Sequence, residues 1–194
     1  LWYRDSDTCE DHGHEWFKTC AEQGDPTCQF LHATKVGNRG NTEEIDPERY
    51  RNELMDKVLL WNSRAAEGGS GAAAVKIARA YLKALPSHLD YSEEDAERMF
   101  RMAIDNAQEP DAYYGLAQLF LQRSTALHKE GTGKSEAHAN ANLRDAVRML
   151  EEAALRGHTY AMFNLGIAHL YGYGMAQHNP ATAAEWFEAC GMPE

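Results

Sequence analysis

The chain has 194 residues, 43% of them apolar, and a formal net charge of −11 at neutral pH. Such a length holds one domain or one continuous repeat array. Its acidity argues against a nucleic-acid backbone or an anionic membrane surface as principal partner. No unbroken apolar window of roughly eighteen residues occurs, so no transmembrane helix and no direct membrane insertion are expected.

Overlaid on itself, the chain alternates two helix phrases. Residues 15–24 (EWFKTCAEQG) carry the second-helix phrase of a hairpin, and after a turn at Gly24, Asp25 and Pro26 residues 28–35 (CQFLHATK) carry the first-helix phrase of the next. The same succession returns as 58–69 (VLLWNSRAAEGG) with 73–83 (AAVKIARAYLK), and as 96–107 (AERMFRMAIDNA) with 112–122 (AYYGLAQLFLQ). It returns again as 146–157 (AVRMLEEAALRG) with 161–174 (AMFNLGIAHLYGYG), and 181–191 (ATAAEWFEACG) supplies the second-helix phrase of the last copy. Ala183, Trp186, Phe187 and Cys190 fall at i, i+3, i+4 and i+7, one face of a helix. In register, Trp16, Trp61, Met99, Met149 and Trp186 share one position, and Cys20, Ala65, Ala103, Ala153 and Cys190 another. The leading small residues 28, 73, 112 and 161 are spaced by 45, 39 and 49. The pattern predicts a single array over 1–194, with helix pairs at about 8–36, 49–85, 93–128, 139–172 and 180–190 and no strand. The stretches 36–48 and 124–139 are polar and glycine-containing and read as long loops, mobile or carrying binding groups. Trp16, Trp61 and Trp186 sit at the i+3 core position of their helices and are expected to fill the gap between hairpins.

The phrase A-x-x-x-L-G-x-x-x-x-x-G-x-G in 161–174, followed by A-x-x-W-F-x-x-C in 183–190, resembles the Sel-like repeat (SLR) family, relatives of the tetratricopeptide repeat. Ala33, Ala78 and Ala117 stand where the family has its glycine, and only the last copy keeps the Gly-x-Gly exit. The resemblance implies an all-α, right-handed α/α superhelical solenoid of helix hairpins.

Cys20 ends one helix and Cys28 starts the next, and a turn between adjacent helices can bring two cysteines within disulfide distance. The C-x7-C spacing also looks like the cysteine-rich branch of the SLR family, where a bridge joins consecutive helices at this point. A Cys20–Cys28 disulfide would replace the small-on-small contact that Ala65 with Ala73, and Ala153 with Ala161, make in the other copies. The alternative is two buried free thiols. A bridge implies an oxidising compartment: periplasm, secretory lumen or the outside of the cell. Cys190 would need a partner eight residues on, so either the array continues past Glu194 or Cys190 pairs otherwise. Cys9 has no upstream partner.

Little else in the sequence points to chemistry. DHGHE at 11–15 would splay His12 and His14 apart on a helix, and C-x7-C is not a zinc spacing, so no metal site is expected. His158 and His169 fall at packing or turn positions, and His88, His128, His138 and His178 in expected loops. GTGKSE at 131–136 lacks the spacing of a phosphate-binding loop and reads as a flexible loop. Some cysteine-rich SLR proteins are associated with penicillin binding or β-lactamase activity, but no Ser-x-x-Lys occurs here. The chain is therefore expected to be non-enzymatic and to need no cofactor, with a cell-wall or β-lactam-processing enzyme as the alternative.

A superhelix of hairpins lines a concave groove with its first helices. The residues three, six and ten after each leading small residue share a stripe facing away from the packed face. These are Lys76, Arg79 and Lys83, then Gly115, Gln118 and Gln122, then Asn164, Ile167 and Tyr171, with Tyr114 and Tyr171 as aromatic anchors. A basic end, an amide-lined middle and an aromatic end suit an acidic or mixed segment of a partner protein. The SLR resemblance implies adaptor or scaffold work in envelope, secretory or host-interaction complexes. Some bacterial relatives resemble immunity proteins that neutralise a secreted effector.

Overall fold

The computed structural model describes residues 15–38, 47–83, 92–174 and 178–191, with side chains except at 37–38, 47–55 and 83. Residues 15–22 form α1. There follow α2 (Pro26–Asn38), α3 (Pro47–Glu67), α4 (Gly71–Lys83), α5 (Glu93–Ala107), α6 (Pro110–Glu130), α7 (Gly133–Leu155), α8 (Thr159–Tyr171) and α9 (Pro180–Ala189). No strand occurs among the described residues. Each helix packs chiefly on its sequence neighbours, most extensively as the hairpins α2/α3, α4/α5, α6/α7 and α8/α9, while α4 also touches α6. The chain is an all-α solenoid. No described helix is long and apolar enough to cross a membrane.

One short turn, used repeatedly, sets the stacking of hairpin on hairpin. Gly24, Gly69 and Gly157 each close a helix in the left-handed conformation, at φ of 94°, 100° and 85°. Each donates its N–H three residues back, to Ala21, Ala66 and Ala154 respectively. The residue after each glycine donates five back, to Cys20, Ala65 and Ala153. That pair of bonds is the Schellman arrangement, and only glycine reaches it without steric cost. The next residue then caps the following helix. Asp25 Oδ1 accepts the Cys28 N–H at 2.7 Å, Ser70 Oγ that of Ala73 at 3.3 Å, and His158 Nδ1 that of Ala161 at 3.2 Å.

The turn between α5 and α6 is built without glycine and differs in its bonds, with the Gln108 N–H donating four residues back to Ile104. Gln108 takes the left-handed conformation at φ 52°. Its Oε1 accepts from Tyr113 Oη at 2.7 Å and Arg156 Nη2 at 3.0 Å, and its Nε2 donates to the Ile104 carbonyl at 2.9 Å. Three side-chain bonds thus hold a backbone geometry that glycine adopts elsewhere at no cost.

Small residues make the close approach possible. Ala65, Ala73, Ala103, Ala112, Ala153 and Ala161 are all fully buried. In the first copy this pair is Cys20 and Cys28, joined by a disulfide with Cα atoms 5.7 Å apart. Bulk fills the gaps the small residues leave: a Cβ on Gly115 would fall 2.3 Å from the buried Phe100 ring, and one on Gly166 2.4 Å from Phe187.

Four expectations need correction. The stretch 124–139 is not a loop. Helix α6 runs to Glu130, Gly131 takes the left-handed C-cap, and Thr132 starts α7 through a capping box with Ser135. The two glycines of GTGKSE mark a two-residue reversal, and His128 and His138 lie on helices. Trp16 is 63% exposed rather than core, because no described helix covers its side of α1; Trp61 and Trp186 are half-buried. Helix α9 stops at Ala189, three residues after Trp186, and Cys190 is its C-cap, with Gly191 in the left-handed region. Cys190 therefore lies past the helix end, whereas Cys20 lies inside a helix; its thiol donates to the Phe187 carbonyl. Gly115 faces Phe100 and not the groove.

An ion network ties α5 to α6. Arg123 Nη1 donates to Glu97 and Nε to Glu93, the latter at 3.2 Å, while Arg101 also donates to Glu97. Burial alone would raise the Glu97 carboxyl, but the hydrogen bonds and charges of Arg101 and Arg123 outweigh it and hold it below the usual range. A depressed carboxylate stabilises the fold above its unfolded-state pKa of about 4.3, and that contribution is lost as pH falls through the lower folded-state value. Replacing Glu97 with Gln should therefore lower stability at pH 7 but flatten its decline between pH 5 and 2, measured by urea denaturation across pH. A slope equal to that of the parent chain would remove Glu97 from the acid response. Replacing both Cys20 and Cys28 with Ser should cost about 2–3 kcal/mol. Hydrogen exchange should place that loss in α1 and α2, with α6 to α9 unchanged.

Candidate functional site

The first helices α2, α4, α6 and α8 lie successively along the array, and their side chains reach one another across a solvent-facing band. From α4, Lys76 Nζ donates to Thr34 Oγ1 on α2 at 2.7 Å and sits 4.3 Å from the centre of the Phe30 ring. Partial burial lowers the pKa of this ammonium. Arg79, three residues on, pairs with Asp111 Oδ2 of α6 at 3.0 Å, both side chains half-exposed. The other oxygen of Asp111 lies 3.2 Å from His158 Nε2 at the start of α8. His158 Nδ1 accepts the capping bond from Ala161, which assigns the ring proton to Nε2, facing Asp111. The imidazole stacks on Tyr114 with centroids 4.3 Å apart, and Asn164 Nδ2 approaches Tyr114 Oη at 3.4 Å. Tyr160 stands 6.4 Å from Tyr114.

Position three after the leading small residue has the same job in two repeats. Lys76 bridges back from α4 to α2, and Asn164 bridges back from α8 to α6. In α6 that position is Gly115, which admits Phe100 instead. Gln118 and Gln122 are exposed on α6, Ile167 is half-buried on α8, and Tyr171 is exposed and stacked on Tyr173 at 5.5 Å. Lys83 closes α4, and its side chain lies outside the described residues.

The expected stripe of Lys76, Arg79, Tyr114, Gln118, Gln122, Asn164, Ile167 and Tyr171 thus spans α4, α6 and α8, and its two described cations are not bare. Lys76 is spread over a ring and Arg79 is neutralised by a carboxylate. Sequence reasoning missed Phe30, Thr34, Asp111, His158 and Tyr160. Asp111 and His158 precede the leading small residues of their repeats, one as a first-turn acid and the other as an N-cap. Noticing that both lie on the side of the preceding first helix would have found them.

Among the described residues, Cys20, Asp25 and Cys28 are the group whose ligand atoms come close enough to hold a metal ion. The disulfide removes both thiolates, and Asp25 is the N-cap of α2, so the cluster acts as a mechanical clasp. DHGHE lies, up to His14, outside the described residues.

Replacing His158 with Ala should cost about 1 kcal/mol through the lost cap. Asn at that position, which restores an acceptor, should recover most of it, as read by chemical denaturation. Equal stability of the Ala variant and the parent chain would show that the cap carries no weight.

No family model matches the chain, and no curated protein is similar to it. Solved structures do match its fold. A Sel1 repeat protein from Oxalobacter formigenes superposes with a TM-score of 0.67 at 21% identity over 93% of this chain. The chain spans 63% of the length of that protein. The protective antigen c5321 of uropathogenic Escherichia coli, which displays an SLR fold, aligns over 91% of this chain and 40% of its own at 21% identity, with a TM-score of 0.43. The chain has the fold of the Sel1-like repeat proteins.

Proposed function

We propose that the protein is a non-enzymatic interaction scaffold that holds a segment of a partner protein along the band of α2, α4, α6 and α8. The observation that carries this reading is the continuity of the band. Successive first helices are bridged by Lys76–Thr34, Arg79–Asp111, Asp111–His158 and Asn164–Tyr114, so the surface is fixed before a partner arrives. A pre-ordered surface loses little entropy on binding. Solenoids offer such surfaces generally, and the likeness to a Sel1 repeat protein supports the assignment at the level of fold.

The Cys20–Cys28 disulfide supports work in an oxidising compartment: periplasm, secretory lumen or outside the cell. An acidic array with a disulfide clasp suits an adaptor or an inhibitor of a secreted effector, including the immunity-protein role. At the α4 end, Lys76, Arg79 and Lys83 favour an acidic or mixed partner segment. Nitrocefin turnover, or covalent penicillin labelling, by the pure protein would overturn the non-enzymatic reading.

Reversing Lys76, Arg79 and Lys83 to Glu together should weaken capture of the partner by more than about tenfold. Because exposed pairs contribute little to folding, the melting temperature should fall by no more than a few degrees. The check is affinity capture from envelope and lysate fractions, read by quantitative mass spectrometry beside the parent chain. Equal recovery of one partner by both proteins would take the α4 end out of the site.

A further inference from the structure

We propose that the α8 end of the band takes cationic side chains, so that the bound segment carries Arg or Lys opposite Tyr160 and Tyr171. This deepens the groove reading above and rests on it.

Four residues of α8, Tyr160, Asn164, Ile167 and Tyr171, follow one another at intervals of four, three and four, which keeps them on a single helix stripe. Tyr160 is 71% exposed and Tyr171 64%, and Tyr173, stacked on Tyr171 with an interplanar angle of 27°, is 51% exposed. Three large rings so open to solvent need a reason. An aromatic face is electronegative and attracts a cation placed within about 6 Å.

Four cations of the molecule sit over aromatic rings. Lys35 sits 5.5 Å from the Phe17 ring centre, Lys76 4.3 Å from Phe30, Arg64 5.0 Å from Trp61 and Arg156 4.4 Å from Tyr113. Among the described residues no cation lies over Tyr160, Tyr171 or Tyr173. The sequence supplies the cause. After Arg156 the chain contains no Lys or Arg, yet it contains Glu185, Glu188 and Glu194. The exposed rings of α8 therefore belong to a stretch of sequence with acidic residues and no Lys or Arg, within a chain of net charge −11. A carboxylate approaching it meets unfavourable field and unfavourable ring faces, whereas an ammonium or guanidinium meets neither. The band is polarised: cations of the protein at α4, places for cations of the partner at α8.

The test is selection from a display library of random twelve-residue peptides on the disulfide-intact protein at low salt. The α8 arm is Tyr160→Ala with Tyr171→Ala, and the α4 arm is Lys76→Glu with Arg79→Glu. Both tyrosines are exposed, so the double Ala variant should fold, and its circular dichroism is compared with that of the parent chain. The expected result is enrichment of peptides bearing Arg or Lys, whose affinity falls at least tenfold in the Ala variant and further at high salt. Tyr160→Phe with Tyr171→Phe should retain binding, since the ring face and not the hydroxyl is at work. Binding lost in the Phe variant would assign recognition to the hydroxyls and overturn the proposal. Enriched peptides that are acidic, and lost only in the α4 arm, would overturn the proposal while leaving the groove standing. Peptides indifferent to both arms, or no enrichment at all, would overturn the groove reading and this inference together.

Discussion

Every higher feature of this molecule depends on the contact between the end of one hairpin and the start of the next. That contact is made by a small residue on each side, with a left-handed residue and a helix cap in the turn between them. The Ala65/Ala73 and Ala153/Ala161 positions are fully buried, and a larger side chain there would push the helices apart. Glycine closes the turn at 24, 69 and 157, and the capping side chains Asp25, Ser70 and His158 fix the direction in which the next helix leaves. Because the same turn recurs, the first helices follow one another closely enough for side chains to bridge them. The band is a product of the turn.

The band in turn shows how an acidic chain presents mixed charge. Arg79 and Asp111 neutralise each other between α4 and α6, and His158 turns its Nε2 to Asp111 from α8. Lys76 lies over Phe30 and so places its charge partly out of water. These contacts position side chains more than they stabilise the fold, since exposed ion pairs contribute little. The energetic weight lies behind the band, in the buried alanines, Phe100, Ile77, Leu116, Leu119 and Leu165.

The repeat was readable because its physical requirement is severe. Where two helix backbones nearly touch, only Ala, Gly or bonded Cys fits, and those residues stand in register from Cys20 to Ala161. The disulfide was readable for the same reason, from a spacing that matches the Ala65/Ala73 contact. The connections were less readable. Gly131 and Gly133 look alike in composition to a flexible linker, yet one is a C-cap and the other opens α7, because Thr132 and Ser135 cap each other. The early stop of α9 followed from Gly191, which outweighed the repeat register at Cys190. The site was half legible. Position-three residues could be named from the stripe, but Asp111 lies in the first turn of α6 and His158 is the N-cap of α8, both ahead of the leading small residues on which the periodicity is anchored. Gln108 left no signal, since no pattern announces a non-glycine residue held left-handed by three side-chain bonds.

The α6/α7 hairpin differs from the other described hairpins in how tightly its two helices are joined. Its two helices, 21 and 23 residues long, are the most extensively paired in the molecule, and only Gly131 and Thr132 separate them. The other hairpins close over longer connections, residues 39–46 between α2 and α3 and 84–92 between α4 and α5. The entropy of closing a loop rises with its length, and in a stack where each unit touches only its neighbours, structure spreads outward from whichever unit forms first. Of the described hairpins, α6/α7 is therefore the one whose closure costs the least chain entropy. It is tied to α5 through Arg123 and to α8 through Tyr114, so the most readily closed unit is also the one that holds the neighbouring hairpins on both sides.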